Sequence, residues 1–436
     1  MRWIALLFTA GCNISADKNA SSDWSYETDA NGLSSSTNEE NTWLSGFQTV
    51  NSGSSSSSIQ VRWNRPENVN VTTFRLVCID QLTNEDVELW IAASLDTATI
   101  PDLKSDTDYL IELSACLDSS CSAKIASDYN QLSARTATER WSLQGSGDSF
   151  SDLSPLISGE HLQAHPYASS SGLELYIFSS EEQSIWKRTL QIYDNVSLET
   201  TSVDQQILDC ASDSCNHILI EAIQMVPSED ESDQLLVLAQ NNGSSSEIYV
   251  VTPQNTDASS FCQLEVDCSL SPFFQSSDII LSDFYLHRSG EQSFLLLEGY
   301  SACTDDSGFY VALLNSETWE VVTDISGCPR MFADAAVAPS VQNSNNHFNL
   351  YFTQADQLRV LYGPSANGST VSSWETIDTS REVELTWTSG TPLSLEEEQK
   401  IVRPSVFFSE SKHLFFSVEN SETQSYGIYF ATLLNP

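Results

Sequence analysis

The cysteines are the residues whose spacing suggests chemistry most directly. The chain of 436 residues contains ten of them, which is typical of a protein that matures in an oxidising compartment. Most occur in close pairs, and no pair has the C-x-x-C spacing of zinc or redox sites. The spacing predicts four disulfides: Cys116–Cys121, Cys210–Cys215, Cys262–Cys268 and Cys303–Cys328. Cys12 and Cys78 remain outside these pairs.

Cys12 ends a short apolar segment, MRWIALLFTAGC. Residues 3–10 are apolar but too few to span a bilayer, and small residues precede the cysteine. The segment resembles a bacterial lipobox, in which the cysteine becomes the lipidated N-terminus. The resemblance implies a signal peptide at 1–11 and an exported chain, lipid-anchored at the outer membrane or cell surface; Asn13 suits outer-membrane export. The alternative is an ordinary secretory signal with an incidental cysteine.

The charge balance excludes several functions. The chain has 60 acidic and 18 basic residues, a net charge of −42. Nucleic-acid binding needs clustered Lys and Arg, so we expect no nucleic-acid partner, and we expect membrane contact through the lipid anchor only. Such acidity favours solubility in a saline exterior. The acidic run at 229–233 lacks the alternating spacing of a calcium loop, so the sequence predicts no metal and no cofactor.

Residues 12–44 are rich in Ser, Asn, Asp and Glu and have no strand or helix period. Such a segment buries too little apolar surface to offset its ordering entropy, so it is predicted to be a flexible tether. Residues 45–138 instead alternate as β-strands do: "IQVRW" places Ile59, Val61 and Trp63 on one face. The sequence therefore predicts an all-β fold.

Residues 45–138 resemble a fibronectin type III domain. The tryptophan late in the second strand matches, and Leu103, Thr107 and Tyr109 follow the family's L-x-P-x-T-x-Y corner, with Ser105 in place of proline. The resemblance implies that the tyrosine hydroxyl bonds back to the chain. It also implies that Cys116 and Cys121 staple the hairpin between the last two strands.

Residues 139–436 contain an internal repeat. "AHPYASSSGLELYIFSS" aligns without a gap with "VRPSVFFSESKHLFFSV". Each copy continues into a third strand, and several continue into a fourth, as at "WEVVTD" and "WETI". Four short strands repeating every 53 to 65 residues are typical of β-propeller blades. The predicted ring has five blades, and six blades are the alternative. The copies are aligned on one residue each, called here the repeat anchors: Pro166, Pro227, Leu286, Pro339 and Pro404.

The last copy ends too early for a fourth strand. An open ring would expose a strand edge, and the segment "ERWSLQ" at 139–144 can supply the missing strand. In that case we expect Trp141 to pack against the last copy, around Ile428 and Phe430. A β-sandwich array with accidental similarity is the alternative.

A five-bladed ring resembles the arabinanase-like glycosidases, which need carboxylates at the channel mouth. In that family an aspartate precedes the first-blade proline, and here that residue is His165. The catalytic aspartate of the pattern is therefore missing. Four other carboxylates fall near predicted inner strands: Glu160, Glu221, Asp283 and Asp334.

His165 and Arg403 occupy the same repeat position in blades that closure makes adjacent. Together they could bind an anion or a sugar carboxylate. The sequence thus favours a lipid-anchored binding protein whose propeller contacts a glycan or a surface protein. The alternatives are a diverged secreted glycoside hydrolase and a structural protein of an envelope complex. No catalytic residue is assigned.

The mature chain is expected to begin at an acylated Cys12. Intact mass and partition into detergent would measure this directly. A water-soluble mature chain that begins at another residue would contradict it.

Overall fold

The structure is a computed structural model of the chain. It describes residues 45–67, 69–125, 130–143, 150, 155–160, 162–169, 172–193, 197–200, 205–209, 218–226, 234–241, 245–251, 272–289, 292–315, 318–334, 337–343, 348–354, 357–364, 374, 380–408, 412–420, 422 and 425–434. These residues form strands and turns, so the fold is all-β. No helix in these ranges is long and apolar enough to cross a membrane.

The first sheets form a sandwich. One sheet has the strand order β1 (Ser45–Thr49), β2 (Ile59–Asn64) and β5 (Thr97–Ile100). The other has the order β4 (Asp86–Ala92), β3 (Thr73–Asp80), β6 (Asp108–Cys116) and β7 (Gln131–Arg135). Strands β2, β3 and β6 alternate buried and more exposed residues as the sequence predicts. The fibronectin type III-like fold is confirmed.

The structure contains the tyrosine corner that the sequence predicts, in which the Tyr109 hydroxyl bonds back to the chain. The Lys104 backbone N–H donates to the Tyr109 hydroxyl at 2.8 Å, and both residues are buried. Cys116 and Cys121 form a disulfide between β6 and β7. Cys78 is a free buried thiol, and burial raises its pKa to about 12, so it stays protonated.

Each repeat copy forms one antiparallel sheet, named here sheets 1 to 5. Sheet 1 contains β10 (Leu162–Ser169), β11 (Gly172–Ser179), β12 (Ser184–Tyr193), β13 (Ser197–Thr200) and β14 (Gln205–Asp209); sheet 2 contains β15 (Ile218–Val226), β16 (Gln234–Asn241) and β17 (Glu247–Val251). Sheet 3 contains β18 (Ile279–Ser289), β19 (Gln292–Ser301), β20 (Asp306–Asn315), β21 (Thr318–Val321) and β22 (Ala333–Asp334).

The last two sheets follow the same plan. Sheet 4 contains β23 (Val337–Asn343), β24 (Phe348–Gln354), β25 (Gln357–Tyr362) and β26 (Arg381–Glu382). Sheet 5 contains β28 (Gln399–Phe408), β29 (Lys412–Asn420) and β30 (Ser425–Leu433), joined by three strands from elsewhere: β8 (Arg140–Leu143), β9 (Ile157–Glu160) and β27 (Glu384–Thr386).

The five sheets form a closed ring. Their first strands contact one another in the order β10, β15, β18, β23, β28, and β28 contacts β10. A separate apolar core fills each interface between successive sheets, including the interface of sheet 5 with sheet 1. Both faces of a sheet are therefore buried only when its two neighbours are in place.

Residues 140–143, which precede the first repeat copy, supply the missing strand of sheet 5, as predicted. Strand β8 pairs antiparallel with β30, with Trp141 opposite Leu433, and parallel with β27. Trp141 thus packs against the last copy as expected, but Ile428 and Phe430 of the same strand face sheet 1. Trp141 lies on the other face of sheet 5, where its ring is 6.2 Å from that of Tyr351 in sheet 4.

The fourth strand of sheet 4 also differs from expectation. Trp374, the first residue of "WETI", lies outside any strand and is fully buried against Phe294 and Phe332. The fourth strand is instead β26. The large indole contributes to the apolar core between sheets 3 and 4.

The corner of the sandwich is joined directly to the ring. The Ser105 N–H donates to the Tyr362 hydroxyl at 2.7 Å, and that hydroxyl donates to Ser105 Oγ at 2.7 Å. Beside it, buried Glu139 accepts from Trp141 Nε1 at 2.9 Å and from the Tyr351 hydroxyl at 2.8 Å. Proline, which the family pattern has at this position, lacks a backbone N–H. Ser105 supplies the N–H donor that the bond to Tyr362 needs.

Replacing Trp141 with alanine should destabilise the ring strongly. The indole is fully buried and its Nε1 has a buried carboxylate partner, so we expect a loss of about 3–5 kcal/mol in the free energy of unfolding. Urea denaturation followed by circular dichroism measures it. Trp90→Ala, at an exposed indole on β4, is the matched control, and equal stability of the two variants would contradict closure by β8.

Candidate functional site

Two side chains from the first strands of sheets 1 and 3 approach each other inside the ring. His165 lies on β10, where its imidazole bonds the backbone of Met225 on β15. Its ring centroid is 6.1 Å from that of Tyr285 on β18. His165 and Tyr285 occupy the same position in their repeats, one residue before the repeat anchors Pro166 and Leu286. Their contact shows that this position faces the centre of the ring.

The surroundings of His165 determine its charge. Burial lowers the pKa of its imidazole to about 4, and this effect exceeds that of the hydrogen bond to Met225, which raises the pKa. At pH 7 the ring is therefore neutral, so it can donate or accept a hydrogen bond but supplies no positive charge. Arg403 lies on neighbouring β28, and its side chain lies outside the described residues. A site shared by the two residues stays a prediction.

Two of the four candidate carboxylates lie close together. Glu221 is on β15 and Asp283 is on the adjacent β18, and each lies at a β-bulge in its strand. Such bulges turn a side chain away from the regular alternation. Glu221 Oε1 accepts from Gln240 Nε2 at 2.8 Å. Burial raises the pKa of Glu221, and the negative charge of Asp283 raises it further.

The other two acidic residues, Glu160 and Asp334, lie on strands at the outer part of their sheets. Glu160 is on β9, which pairs with β30, the third strand of sheet 5. Asp334 is on β22, which pairs with β20, the third strand of sheet 3. The expectation that they lie near inner strands is wrong, because the connections between sheets carry these short strands back to the outer part of a sheet.

The sequence analysis missed a set of glutamines that link the first strands. Gln224 Nε2 donates to the Leu286 carbonyl at 2.8 Å, and the Leu286 N–H donates to Gln224 Oε1 at 2.5 Å. Gln163 Nε2 donates to the Glu221 carbonyl at 2.5 Å. Gln163, Gln224 and Asp283 each lie three residues before a repeat anchor. Aligning the repeat copies at that position would have identified Gln163 and Gln224 from the sequence alone.

The carboxylates lie toward one face of the ring, named here the upper face, at which the first strands begin. Glu221 and Asp283 are both in the first half of their strands, and Ser246, in the connection before β17, lies beside Glu221. The confirmed disulfide Cys303–Cys328 links two connections of this face. The predicted pairs Cys210–Cys215 and Cys262–Cys268 lie outside the described residues.

Comparisons with known proteins report similarity of fold. No protein-family model and no curated protein matches the sequence. A fibronectin type III domain of human collagen XX is 13% identical, covers 21% of this chain and 91% of its own, and has a TM-score of 0.19. A segment of two such domains from chicken tenascin is 13% identical, covers 48% and 98%, and scores 0.21. An endo-arabinase from Bacteroides thetaiotaomicron is 13% identical, covers 64% and 96%, and scores 0.39.

The buried histidines should destabilise the protein in acid. The pKa of His165 and that of His413 are both lowered to about 4 by burial, against about 6.5 in the unfolded chain. The native state then binds fewer protons, so their stabilisation is complete above pH 6.5 and is lost as the pH falls from 6.5 toward 4, by up to about 1.4 kcal/mol per pH unit for each histidine.

Denaturation midpoints measured between pH 7 and pH 4 test this expectation. His165→Asn and His413→Asn should each flatten the pH dependence, since each removes one group that must charge on unfolding. A His165 resonance that titrates near pH 6.5 in the folded protein would show that the imidazole is accessible and charged.

Proposed function

We propose that this chain is an exported, lipid-anchored binding protein in which a tether and a fibronectin-type spacer carry a five-bladed β-propeller. In this proposal the upper face of the propeller binds a neutral glycan. The cyclic contacts of the first strands and the five cores between sheets support the architecture. The disulfides support export.

The hydrogen-bonding groups at the axis indicate which class of ligand the proposed site would bind. A neutral imidazole, a phenol and two carboxylates come from the first strands of sheets 1, 2 and 3: His165, Tyr285, Glu221 and Asp283. These groups donate to and accept from hydroxyls in several directions, which suits a sugar. A net charge of −42 repels polyanions over the whole surface. A neutral glycan therefore fits better than the sugar carboxylate that the His165–Arg403 pair predicts.

Binding of the chain without its lipid to an array of neutral and acidic glycans tests this function. We expect neutral glycans to bind, and Glu221→Gln and Asp283→Asn each to weaken binding about tenfold or more, the loss of roughly one charged hydrogen bond. Glu320→Gln, at an exposed residue of β21, should bind as the unaltered chain does. Preference for acidic glycans, or no effect at Glu221 and Asp283, would contradict the proposal.

One observation favours a second function, glycoside hydrolysis. A carboxyl group with a raised pKa next to a second carboxylate is the arrangement of a general acid and its partner. Glu221 would donate the proton and Asp283 would be the ionised group. Turnover of chromogenic arabinosides or xylosides, abolished by Glu221→Gln, would support this function. Binding without product release would support the binding protein.

A further inference from the structure

An exposed apolar surface lies on the upper face at sheet 3. Ile280 and Tyr300 are 56% and 36% exposed, although both lie within strands. They are direct partners in the register of β18 and β19. Directly paired residues point to the same side of a sheet with Cβ atoms about 5 Å apart, so the two side chains form one continuous surface, named here the rim surface.

The tyrosine of the rim surface is held in place before any ligand binds. Its hydroxyl donates to the carboxylate of Asp305, and the Asp305 N–H donates to the Ser301 carbonyl at 2.9 Å. The loop that contains Asp305 is tied by Cys303–Cys328 to the connection that follows β21. A fixed aromatic ring loses little further entropy on binding, which suits it to recognition.

The rim surface is continuous with the groups at the axis. Asp283 pairs with Glu298, which is two residues from Tyr300 along β19, a span of about 7 Å. Ser282, the residue before Asp283, donates through its Oγ to Glu298 Oε1 at 3.1 Å. A ligand that reaches Asp283 can thus extend over Glu298 to Tyr300 without leaving sheet 3.

We propose that Tyr300 and Ile280 form a stacking subsite for a further sugar unit of the neutral glycan bound at the axis. This inference rests on the proposed function. The apolar C–H face of a sugar ring matches the size of one tyrosine ring, while its hydroxyls match the carboxylate of Glu298. Two apolar side chains bury far less than the roughly 800 Å² per partner of a stable protein interface, which disfavours a protein partner or a second copy.

Calorimetric titration with neutral arabino-, xylo- and gluco-oligosaccharides of increasing length tests the subsite in the full chain without its lipid. The affinity of the unaltered chain should rise once the oligosaccharide is long enough to reach Tyr300. Tyr300→Ala should remove that increment, about tenfold, and leave the binding of the shortest ligands unchanged. Tyr300→Phe keeps the ring and should keep most of the increment.

The controls separate the possible failures. Trp90→Ala, which removes an exposed aromatic ring from the sandwich, should bind like the unaltered chain, and melting temperatures check that each variant is folded. If Tyr300→Ala leaves the length dependence intact, or weakens short and long ligands equally, the subsite is wrong while the axial site stands. If no neutral oligosaccharide binds, both proposals fail. Self-association that Tyr300→Ala abolishes would assign the rim surface to a second copy instead.

Discussion

Closure of the ring is the constraint on which the rest of the structure depends. Each of the five sheets has two apolar faces, and each face is covered only by a neighbouring sheet. One missing neighbour would leave a core open to water and a strand edge unpaired. The chain meets this constraint by pairing β8, from before the first repeat, with β30 at the end of the last. The ends of the ring are therefore held by a contact between residues almost 300 positions apart.

The same closure links the sandwich to the ring. Strand β8 follows the last sandwich strand after only a few residues, so the closing strand is joined to the sandwich by a short connection. Buried Glu139 accepts hydrogen bonds from Trp141 and Tyr351 at the interface of sheets 4 and 5. Ser105 and Tyr362 add two buried hydrogen bonds between the tyrosine corner and sheet 4. Buried polar groups that bond each other across the two parts favour one relative position of the sandwich and the ring.

Closure also assembles the candidate site, because residues from three repeats meet only when the first strands surround one axis. His165 then lies against Tyr285, and Glu221 comes under the influence of Asp283. The low dielectric of this surrounding explains both perturbed groups: it disfavours the charged form of an imidazole and of a carboxyl alike. The protein thereby holds His165 neutral at pH 7 and raises the pKa of the Glu221 carboxyl. The glutamines Gln163 and Gln224 add hydrogen bonds that hold the first strands in register with one another.

The sequence by itself determined the local elements, because the period of apolar residues, the tyrosine corner and the cysteine spacing are properties of short segments. Alternation at Ile59, Val61 and Trp63, the bond to Tyr109, and the pairs Cys116–Cys121 and Cys303–Cys328 all follow from such patterns. Even the closing strand could be inferred, since a repeat one strand short implies a strand from elsewhere. Only the tertiary structure decided which face Trp141 covers, which carboxylates approach the axis, and why a serine stands at position 105. Those outcomes depend on the register of β30, on bulges in β15 and β18, and on a contact across 257 residues. Each of them is an interaction between distant segments, which no local pattern encodes.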